Sequence, residues 1–570
     1  MDKYTDLNAE EIHRFVFFLL ITFPLSAVLW ISCGEDVDKY VDKQVFRLNL
    51  DGGLTTLDPA YARDQASGWM TGQLFDGLVE LDAELAVQPA IAQRWSVSDD
   101  GLTYTFFLRP EVFFHEDPVW GGRPRAVRAS DFVYSFTRIC DLATASSGQW
   151  VFNGKIEGLA AFQAGDTNRI SGFSAPDDST LVIRLARPFP PFLGLLAMPY
   201  CKVLAREALD HYGDNFRSHP VGTGPFRFYR WKEGSSLILH KNPDYYMQEA
   251  GAPLPYLDAI KVTFMSSRLT AFLEFVQGNL DMLNEIDPAY KDEVLSPDGT
   301  VREPYASRYQ CLLAPQLNTE YLGIQVDTSL AIARGHPLTD VRVRQALNYA
   351  IDRERLVKYL LNGMGYAATS GFVPRGMPGH DPEAVPGYHY APQKAATLLA
   401  EAGYPGGVGF PELTLYSTQK YAAISEYIQK AFEQIGIRVN IQNLQGGALR
   451  TEVYGGKINF WRASWIADYP EAENYLALFY SENQSPQGPN TTHFSDPRYD
   501  ELYRQALTIS EDSARHERYQ EMERIMLAQS PVILLYYDRS IRLVQPYIEG
   551  LESNPMNFLS LKRVRKRAMP

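Results

Sequence analysis

The segment 413–443 reads LTLYSTQKYAAISEYIQKAFEQIGIRVNIQN, and it is the clearest guide to the fold class. Residues 413–416 alternate in the manner of a half-buried strand. Residues 422–435 place apolar side chains at helical spacing, and residues 439–443 read as a second strand. A strand, a helix and a further strand in succession predict a mixed α/β chain.

The same mixture extends outward through both halves of the sequence. The 570 residues exceed the size at which a single hydrophobic core stops growing, about 250–300 residues, so at least two lobes are expected. We therefore predict two α/β lobes. Further strands are predicted at 45–49, 104–108, 181–185, 237–240, 319–326, 460–465 and 532–537, and further helices at 67–75, 130–138, 341–351, 393–402, 500–509 and 515–529.

Composition and charge narrow the class of ligand. The chain is 13% aromatic, which fits a cleft that holds ligands by stacking, although a large β-rich core would also use these rings. The net charge of −14 argues against nucleic acid, which proteins bind through basic patches. The basic run at 562–567 is interpreted as a solvated tail.

The N-terminus predicts export. An apolar run at 15–31 is short for a membrane span and suits a signal peptide. It is followed by Ser32, Cys33 and Gly34, which resembles a bacterial lipoprotein signal. We predict a signal peptide at 1–32, a lipidated Cys33 and a tether at 33–44, which would anchor the protein to the membrane on the periplasmic or extracellular face. Trp30 and the acidic start depart from that pattern, so an uncleaved anchor or a start further downstream is the alternative.

Three cysteines remain after the predicted cleavage, namely Cys140, Cys201 and Cys311. No two of them form a Cys-x-x-Cys metal or redox motif. Outside the cytoplasm one disulfide is expected, and we predict the pair Cys140–Cys201 because both follow apolar segments of one region. No metal site is predicted, and the run at 115–117 (His-Glu-Asp) is interpreted as an exposed loop.

The segment 461–470, WRASWIADYP, is the candidate binding site. It places Arg462 and Asp468 among the rings of Trp461, Trp465 and Tyr469. One cation, one anion and flat apolar walls suit a zwitterion, and a short peptide is such a ligand. The alternative is a buried strand that leads into a turn, with Asp468 capping the turn and the tryptophans in the core.

Nine further motifs carry a family resemblance along nearly the whole length after residue 45. The chain resembles the extracytoplasmic solute-binding proteins of ABC importers for oligopeptides, dipeptides and nickel (family 5), and oligopeptide-binding proteins in particular. The motifs in chain order are LTTLDPA (54–60), LFDGLVELD (74–82), DGLTYTFFLRP (100–110), ASDFVYSFTR (129–138), VGTGPFRF (221–228), QGNLDM (277–282), DVRVRQALNYAIDRE (340–354), AATLLAEAGYP (395–405) and FEQIGIRVNI (432–441).

The resemblance implies the two-lobed periplasmic-binding-protein fold, with two crossover strands and closure by a hinge. We place the crossovers near 321–325 and 534–537. Lobe one is then 45–320 plus 535–570, with an extra subdomain at about 80–215, and lobe two is 321–534. A monomer is expected.

The resemblance also implies roles for individual residues. Asp468 would pair with a peptide α-ammonium, and Arg462 would hold the carboxylate of short peptides. A second arginine that the long-peptide binders of the family use would fall on Val453, with Arg450 nearby. The aromatic residue that the family places after the strand ending near residue 444 is replaced here by the residues at 445–447. The cysteine that the best-known peptide binder of the family has in this stretch is replaced by Ile466, so the disulfide of that cysteine is not expected here. Expected cleft walls, each with core packing as the alternative, are Trp465, Tyr469, Tyr536 and Tyr537.

The predicted function is a substrate-binding lipoprotein that captures short peptides in a closing cleft and delivers them to an ABC importer permease. The alternatives are a nickel chelate, an oligosaccharide or a signalling peptide as solute, and a secreted hydrolase. The sequence lacks a Gly-x-Ser-x-Gly elbow and a His-Glu-x-x-His helix, so no enzyme and no cofactor are predicted.

Overall fold

The computed structural model describes residues 43–286 and 291–567. The predicted signal peptide, Cys33 and most of the tether lie outside these ranges. Within them, no helix is both long and apolar enough to cross a bilayer.

Strands and helices are interspersed along the chain. The strands are β1 Val45–Asn49, β2 Val79–Leu81, β3 Val87–Pro89, β4 Ala92–Val97, β5 Thr103–Leu108, β6 Phe173–Ser174, β7 Thr180–Arg184, β8 Phe226–Lys232, β9 Ser236–Lys241, β10 Gln248–Glu249, β11 Ala252–Pro253, β12 Ala259–Thr263, β13 Met282–Asn284, β14 Gln310–Ile324, β15 Gly365–Ala367, β16 Leu413–Ser417, β17 Val439–Asn443, β18 Phe460–Ile466, β19 Val532–Val544, β20 Ile548–Glu549 and β21 Arg565–Lys566. The helices are α1 Gln65–Leu74, α2 Ala129–Cys140, α3 Leu159–Ala164, α4 Phe192–Leu196, α5 Arg206–Tyr212, α6 Arg268–Val276, α7 Lys291–Val294, α8 Tyr305–Arg308, α9 Val341–Tyr349, α10 Arg353–Leu360, α11 Pro392–Glu401, α12 Ala422–Glu433, α13 Gly446–Tyr454, α14 Glu473–Leu476, α15 Pro497–Ala506 and α16 Asp512–Gln529.

The largest sheet contains the segment quoted first. Its strand order is β13-β19-β14-β18-β16-β17, with β15 paired to β19. β16 and β17 run parallel and are connected through α12, with Leu413 opposite Val439. The predicted strand–helix–strand unit is confirmed, because the apolar face of α12 (Ile424, Ile428, Phe432) is buried with Leu413 and Leu415 in one core.

Two long strands connect the cores of the molecule. β14 and β19 are antiparallel, and their register shifts between Pro315 and Thr319. On one side of this shift Ile541 and Leu543 pack with α6. On the other side Tyr321 and Leu534 pack in the core of the second half. The sequence predicted a strand only from residue 319, because Pro315 reads as a strand breaker. The predicted crossover positions stay predictions, and the register shift lies a few residues before the first of them.

The first half contains two four-stranded sheets. One has the order β1-β12-β9-β8 and the other the order β4-β5-β7-β6. The second sheet falls within the segment predicted as an extra subdomain. Phe46 and Leu48 of β1 share one continuous core with Phe106 of β5 and Leu181 of β7. The segment 80–215 is therefore packed against the rest of the first half.

The structure corrects the predicted disulfide. Cys140, Cys201 and Cys311 are free thiols. Cys140 and Cys201 lie in the same core, where each fills the place of a small apolar side chain. Burial raises the pKa of Cys201 to about 12 and that of Cys140 further, and the charge of Cys201 adds to the shift at Cys140. Both thiols are thus unreactive as nucleophiles.

Two minor expectations are wrong in part: the run at 115–117 is a loop in which Glu116 is exposed but His115 is not, and the run at 562–567 exposes its arginines but not its lysines. In the run at 562–567, Lys562 is buried with its Nζ 2.5 Å from Glu80, and Lys566 lies 2.7 Å from the buried Asp281, so these two lysines hold the segment against the protein. His115 is buried, with Nε2 3.0 Å from the Gly224 carbonyl oxygen. Its burial lowers its pKa to about 4, so this imidazole is neutral.

Candidate ligand-binding site

The site begins on β18, whose first residues are buried. Trp461 is 2% exposed and packs with Leu449, Val453 and Ile458. Gly323 lies opposite Trp461 in β14, and a Cβ added there would lie 2.5 Å from the indole. Trp461 is therefore a core residue, as the alternative interpretation held, and a glycine is needed to admit it.

Asp468 lies beyond the end of β18, and its side chain is exposed to solvent. Its pKa is nevertheless raised, because surrounding protein atoms reduce its hydration, while a hydrogen bond from Asn474 lowers it. Asp468 is thus open to solvent on one side and close to protein atoms on the other. No lysine, arginine or histidine nitrogen of the described residues lies within 4 Å of it.

Asn474 of α14 positions both Asp468 and Trp465. Its Oδ1 accepts hydrogen bonds from Trp465 Nε1 at 2.9 Å and from the Asp468 backbone N–H at 3.2 Å. Its Nδ2 donates to Asp468 Oδ2 at 3.4 Å. Sequence reasoning missed Asn474, because nothing in its local pattern distinguishes it from a helix-terminal asparagine.

Arg462 is held within the protein. Glu320 is two residues along β14 from the register partner of Arg462, so both side chains lie on one face of the sheet. Arg462 Nη2 forms an ion pair with Glu320 Oε2, and the guanidinium lies 3.3 Å from the centre of the Tyr421 ring. Its Nε is buried without a hydrogen-bond partner. A ligand carboxylate would therefore compete with Glu320 for Arg462.

A second acid adjoins this pair. Asn318 Nδ2 donates to Asp538, and also to Glu320 Oε1 at 3.1 Å. Burial raises the pKa of Glu320 to about 7; the charge of Arg462 lowers it and that of Asp538 raises it. Burial also raises the pKa of Asp538. Two acids and one arginine leave this group one negative charge in excess when both acids are ionised.

Tyr469 connects the site to the first half of the chain. Its ring stacks on Trp150, with ring centres 6.2 Å apart and planes inclined by 22°. Its hydroxyl donates to Glu473, which also accepts from Tyr503. Burial raises the pKa of Glu473. The residue after Asp468 is thus fixed at both the ring and the hydroxyl.

Tyr536 and Tyr537 lie on opposite faces of β19 in two different cores. Both are buried, and the Tyr537 hydroxyl lies 2.9 Å from Ser370 Oγ. This burial favours core packing, the alternative to the predicted cleft walls. Trp465 is half-buried and Ile466 exposed, so these two present surface near Asp468.

Other sequence-level expectations fall around this site. Val453 is buried, Arg450 is exposed on α13, and residues 445–447 are exposed at the start of that helix. A Cβ at Gly446 or Gly447 would meet nothing within 4 Å, so this end of the site is open. Among the residues described, no group of three or more metal-ligating side chains is found.

Comparisons with known proteins agree with this architecture. A sequence profile of bacterial extracellular solute-binding proteins, family 5 (middle region), matches residues 86–487. A probable deoxycholate-binding periplasmic protein of Escherichia coli K12 is 27% identical over 96% of this chain and 98% of its own. The periplasmic oligopeptide-binding protein of Salmonella typhimurium is 27% identical over 95% and 96%. The unliganded open form of the periplasmic murein tripeptide binding protein MppA superposes with a TM-score of 0.76 over 92% of this chain and 98% of that one, at 24% identity.

The chain belongs to the bacterial extracellular solute-binding proteins of family 5, the binding proteins of ABC importers. The predicted two-lobed α/β fold is confirmed by the superposition. The prediction that the chain is a binding protein and not an enzyme is confirmed by the family and by its relatives.

Proposed function

We propose that this protein captures short peptides between its two lobes, through Asp468, and delivers them to an ABC importer permease. The observation that supports this most directly is the state of Asp468: it is solvent-accessible, poorly hydrated, and without a cation within 4 Å in the described ranges. A carboxylate in that state is stabilised by a ligand ammonium group, since a charge-assisted hydrogen bond is strong where hydration is weak.

The remaining parts of the site would supply general peptide affinity. Trp465 is half-buried and its indole is held by Asn474, so its ring is pre-ordered for stacking, while the buried Tyr469 supports Asp468 from the core. The peptide main chain would add hydrogen bonds to backbone edges in the cleft, which gives affinity without reading side chains. Arg462 would bind the ligand carboxylate once Glu320 is displaced or protonated.

Relatives that bind oligopeptides support a peptide, and the relative named for deoxycholate supports a second solute class. The two classes of solute differ in one group: a peptide has an ammonium group that can pair with Asp468, whereas an anionic steroid has none. In this proposal the protein is exported as a monomeric lipoprotein anchored through Cys33.

Mutation of Asp468 tests the proposal. Closure of the cleft on a peptide would bury the pair of Asp468 with the ligand ammonium, and removing one partner of a buried charged pair costs about 3–5 kcal/mol, so Asp468→Ala should weaken binding of a peptide with a free N-terminus by about two to three decades. The same peptide, N-acetylated, should bind both proteins equally and weakly. Isothermal titration calorimetry measures both affinities.

Equal losses for both peptides would contradict the ammonium role. Native mass spectrometry of the protein purified from its own cell gives an independent check. A ladder of masses that match short peptides would support the peptide carrier, whereas a single steroid-sized mass would favour the other solute.

A further inference from the structure

A cavity of about 770 Å³ lies in the first half of the molecule, and neither Asp468 nor Arg462 lines it. Its walls come from α1, from the segments 80–89, 197–202 and 246–249, and from the C-terminal segment 550–563. It therefore lies where the predicted subdomain meets the rest of lobe one. A volume of this size is typical of small-molecule sites, which occur preferentially at such boundaries.

Asp76 is the unusual residue of this cavity. It is 6% exposed, and its Oδ2 is buried without a hydrogen-bond partner. Its position is fixed by its backbone, since its N–H donates to Thr223 Oγ1 at 3.0 Å and its carbonyl oxygen accepts from the Val203 N–H at 3.1 Å. Burying an unpartnered carboxylate is costly, and native proteins reserve such groups for a role.

Tyr245 and Tyr246 adjoin Asp76. Their rings lie 4.9 Å apart, and both hydroxyls are buried without a partner that meets hydrogen-bond geometry. Burial, then the charge of Asp76, and also hydrogen bonding to its carboxylate raise the pKa of both phenols, so the two hydroxyls lie next to this carboxylate without the alignment of a good hydrogen bond. A carboxylate with two neighbouring phenols forms an acceptor-rich, aromatic-walled end that suits an ammonium group.

Lys202 supplies the opposite charge. Its ammonium has no hydrogen bond or ion pair with any residue described, and it lines the cavity. Burial lowers the pKa of Lys202, while the charges of Asp76 and Glu80 raise it. The second lysine that lines the cavity, Lys562, is already paired with Glu80, with its Nζ 2.5 Å from the carboxylate. Among the described residues of the cavity wall, one carboxylate and one ammonium group are thus left without an ion-pair partner.

We propose that this cavity is a second ligand site that binds a small zwitterion of the α-amino acid class, with the ligand ammonium on Asp76 and its carboxylate on Lys202. The cavity would hold the ligand side chain as well. The site is independent of the interlobe cleft, so it does not rest on the proposed peptide function. A lone cation would leave the half-buried Lys202 unpaired and a lone anion would leave the buried Asp76 unpaired, which is why the zwitterion is favoured.

Calorimetry on the full-length protein tests this with glycine, L-leucine, L-lysine and L-glutamate as probes. At least one should bind with a dissociation constant below about 1 mM. Asp76→Asn and Lys202→Gln should each weaken that binding about tenfold or more, as should acetylation of the probe's amino group or amidation of its carboxylate. Asp468→Asn should leave the affinity unchanged. Absence of binding by all four probes, or an affinity that falls only with Asp468→Asn, would overturn the proposal.

A steric variant keeps the test valid if Asp76→Asn does not fold. Gly72 lies on α1 in the cavity wall, and a Cβ there meets nothing within 4 Å. Gly72→Phe should therefore fill the cavity without removing a contact and should abolish amino-acid binding. Gly52→Phe, at an exposed and equally open glycine elsewhere in lobe one, is the matched control and should bind normally. Unchanged binding by Gly72→Phe would overturn the proposed location.

Discussion

Glu320 determines whether Arg462 is available to a ligand carboxylate. The ion pair between them leaves the arginine engaged, and the pKa of Glu320 is raised to about 7 by burial. Protonation of Glu320 removes its negative charge and therefore the ion pair with Arg462. A ligand carboxylate should therefore bind more tightly when Glu320 is neutral.

The prediction is a pH-dependent preference for a free C-terminus. Between pH 8 and pH 6, the affinity for a peptide acid divided by that for its C-terminal amide should rise by up to about tenfold per pH unit, which is the limit for one proton. Titration calorimetry of the two peptides gives this ratio, from which the effects of Asp468 cancel. Glu320→Gln should make the ratio independent of pH over that range. A ratio that still rises in that variant would assign the effect to Asp538 instead.

At the scale of elements, Glu523 of α16 contacts the segment 371–373. Its Oε1 accepts from the Val373 N–H at 2.8 Å, and a Cβ on Gly371 would lie 2.0 Å from the same oxygen. Burial raises the pKa of Glu523 to about 7, while its backbone hydrogen bonds lower it. The folded state thus holds a proton that the unfolded state releases at lower pH.

This arrangement predicts that stability falls as pH rises. The contribution of Glu523 is fully present below its unfolded pKa of about 4.3 and is lost as pH passes 7, by on the order of 3 kcal/mol. Urea unfolding at pH 5 and pH 8 should show a smaller loss for Glu523→Gln than for the wild type, because the amide oxygen still accepts from Val373. An identical loss in both proteins would show that Glu523 is not the source.

The elements were predictable from sequence where local signals agree. In α12 and its flanking strands the helical spacing of apolar residues and the alternation of the strands indicate the same structure, and the structure matches it. β14 was predicted too short at its N-terminal end. Residues 310–315 form a strand because they pair with β19, which lies more than 200 residues away in the chain. Partners such as Glu320 for Arg462 and Asn474 for Asp468 depend on the same long-range pairing.

At the scale of the whole molecule, the Trp150–Tyr469 stack joins the first half to the ligand site. Trp150→Ala should weaken peptide binding about three- to tenfold, since an aromatic pair contributes about 0.5–1.5 kcal/mol and Tyr469 adjoins Asp468. Fluorescence titration with a labelled peptide measures this. Trp150→Phe should retain most of the affinity, and an equal loss in both variants would exclude stacking as the cause.

The pairing of β14 with β19 restricts how the two halves can move. The strands are hydrogen bonded to each other on both sides of the interruption at Pro315–Thr319. Sliding one half along the strands would break both ladders, whereas bending and twisting at the interruption breaks neither. Each opening and closing should therefore retrace one path and return the same surfaces to each other. A pair of fluorophores, one on each half, would report ligand as a reproducible change in distance, so this chain is suited to conversion into an optical sensor.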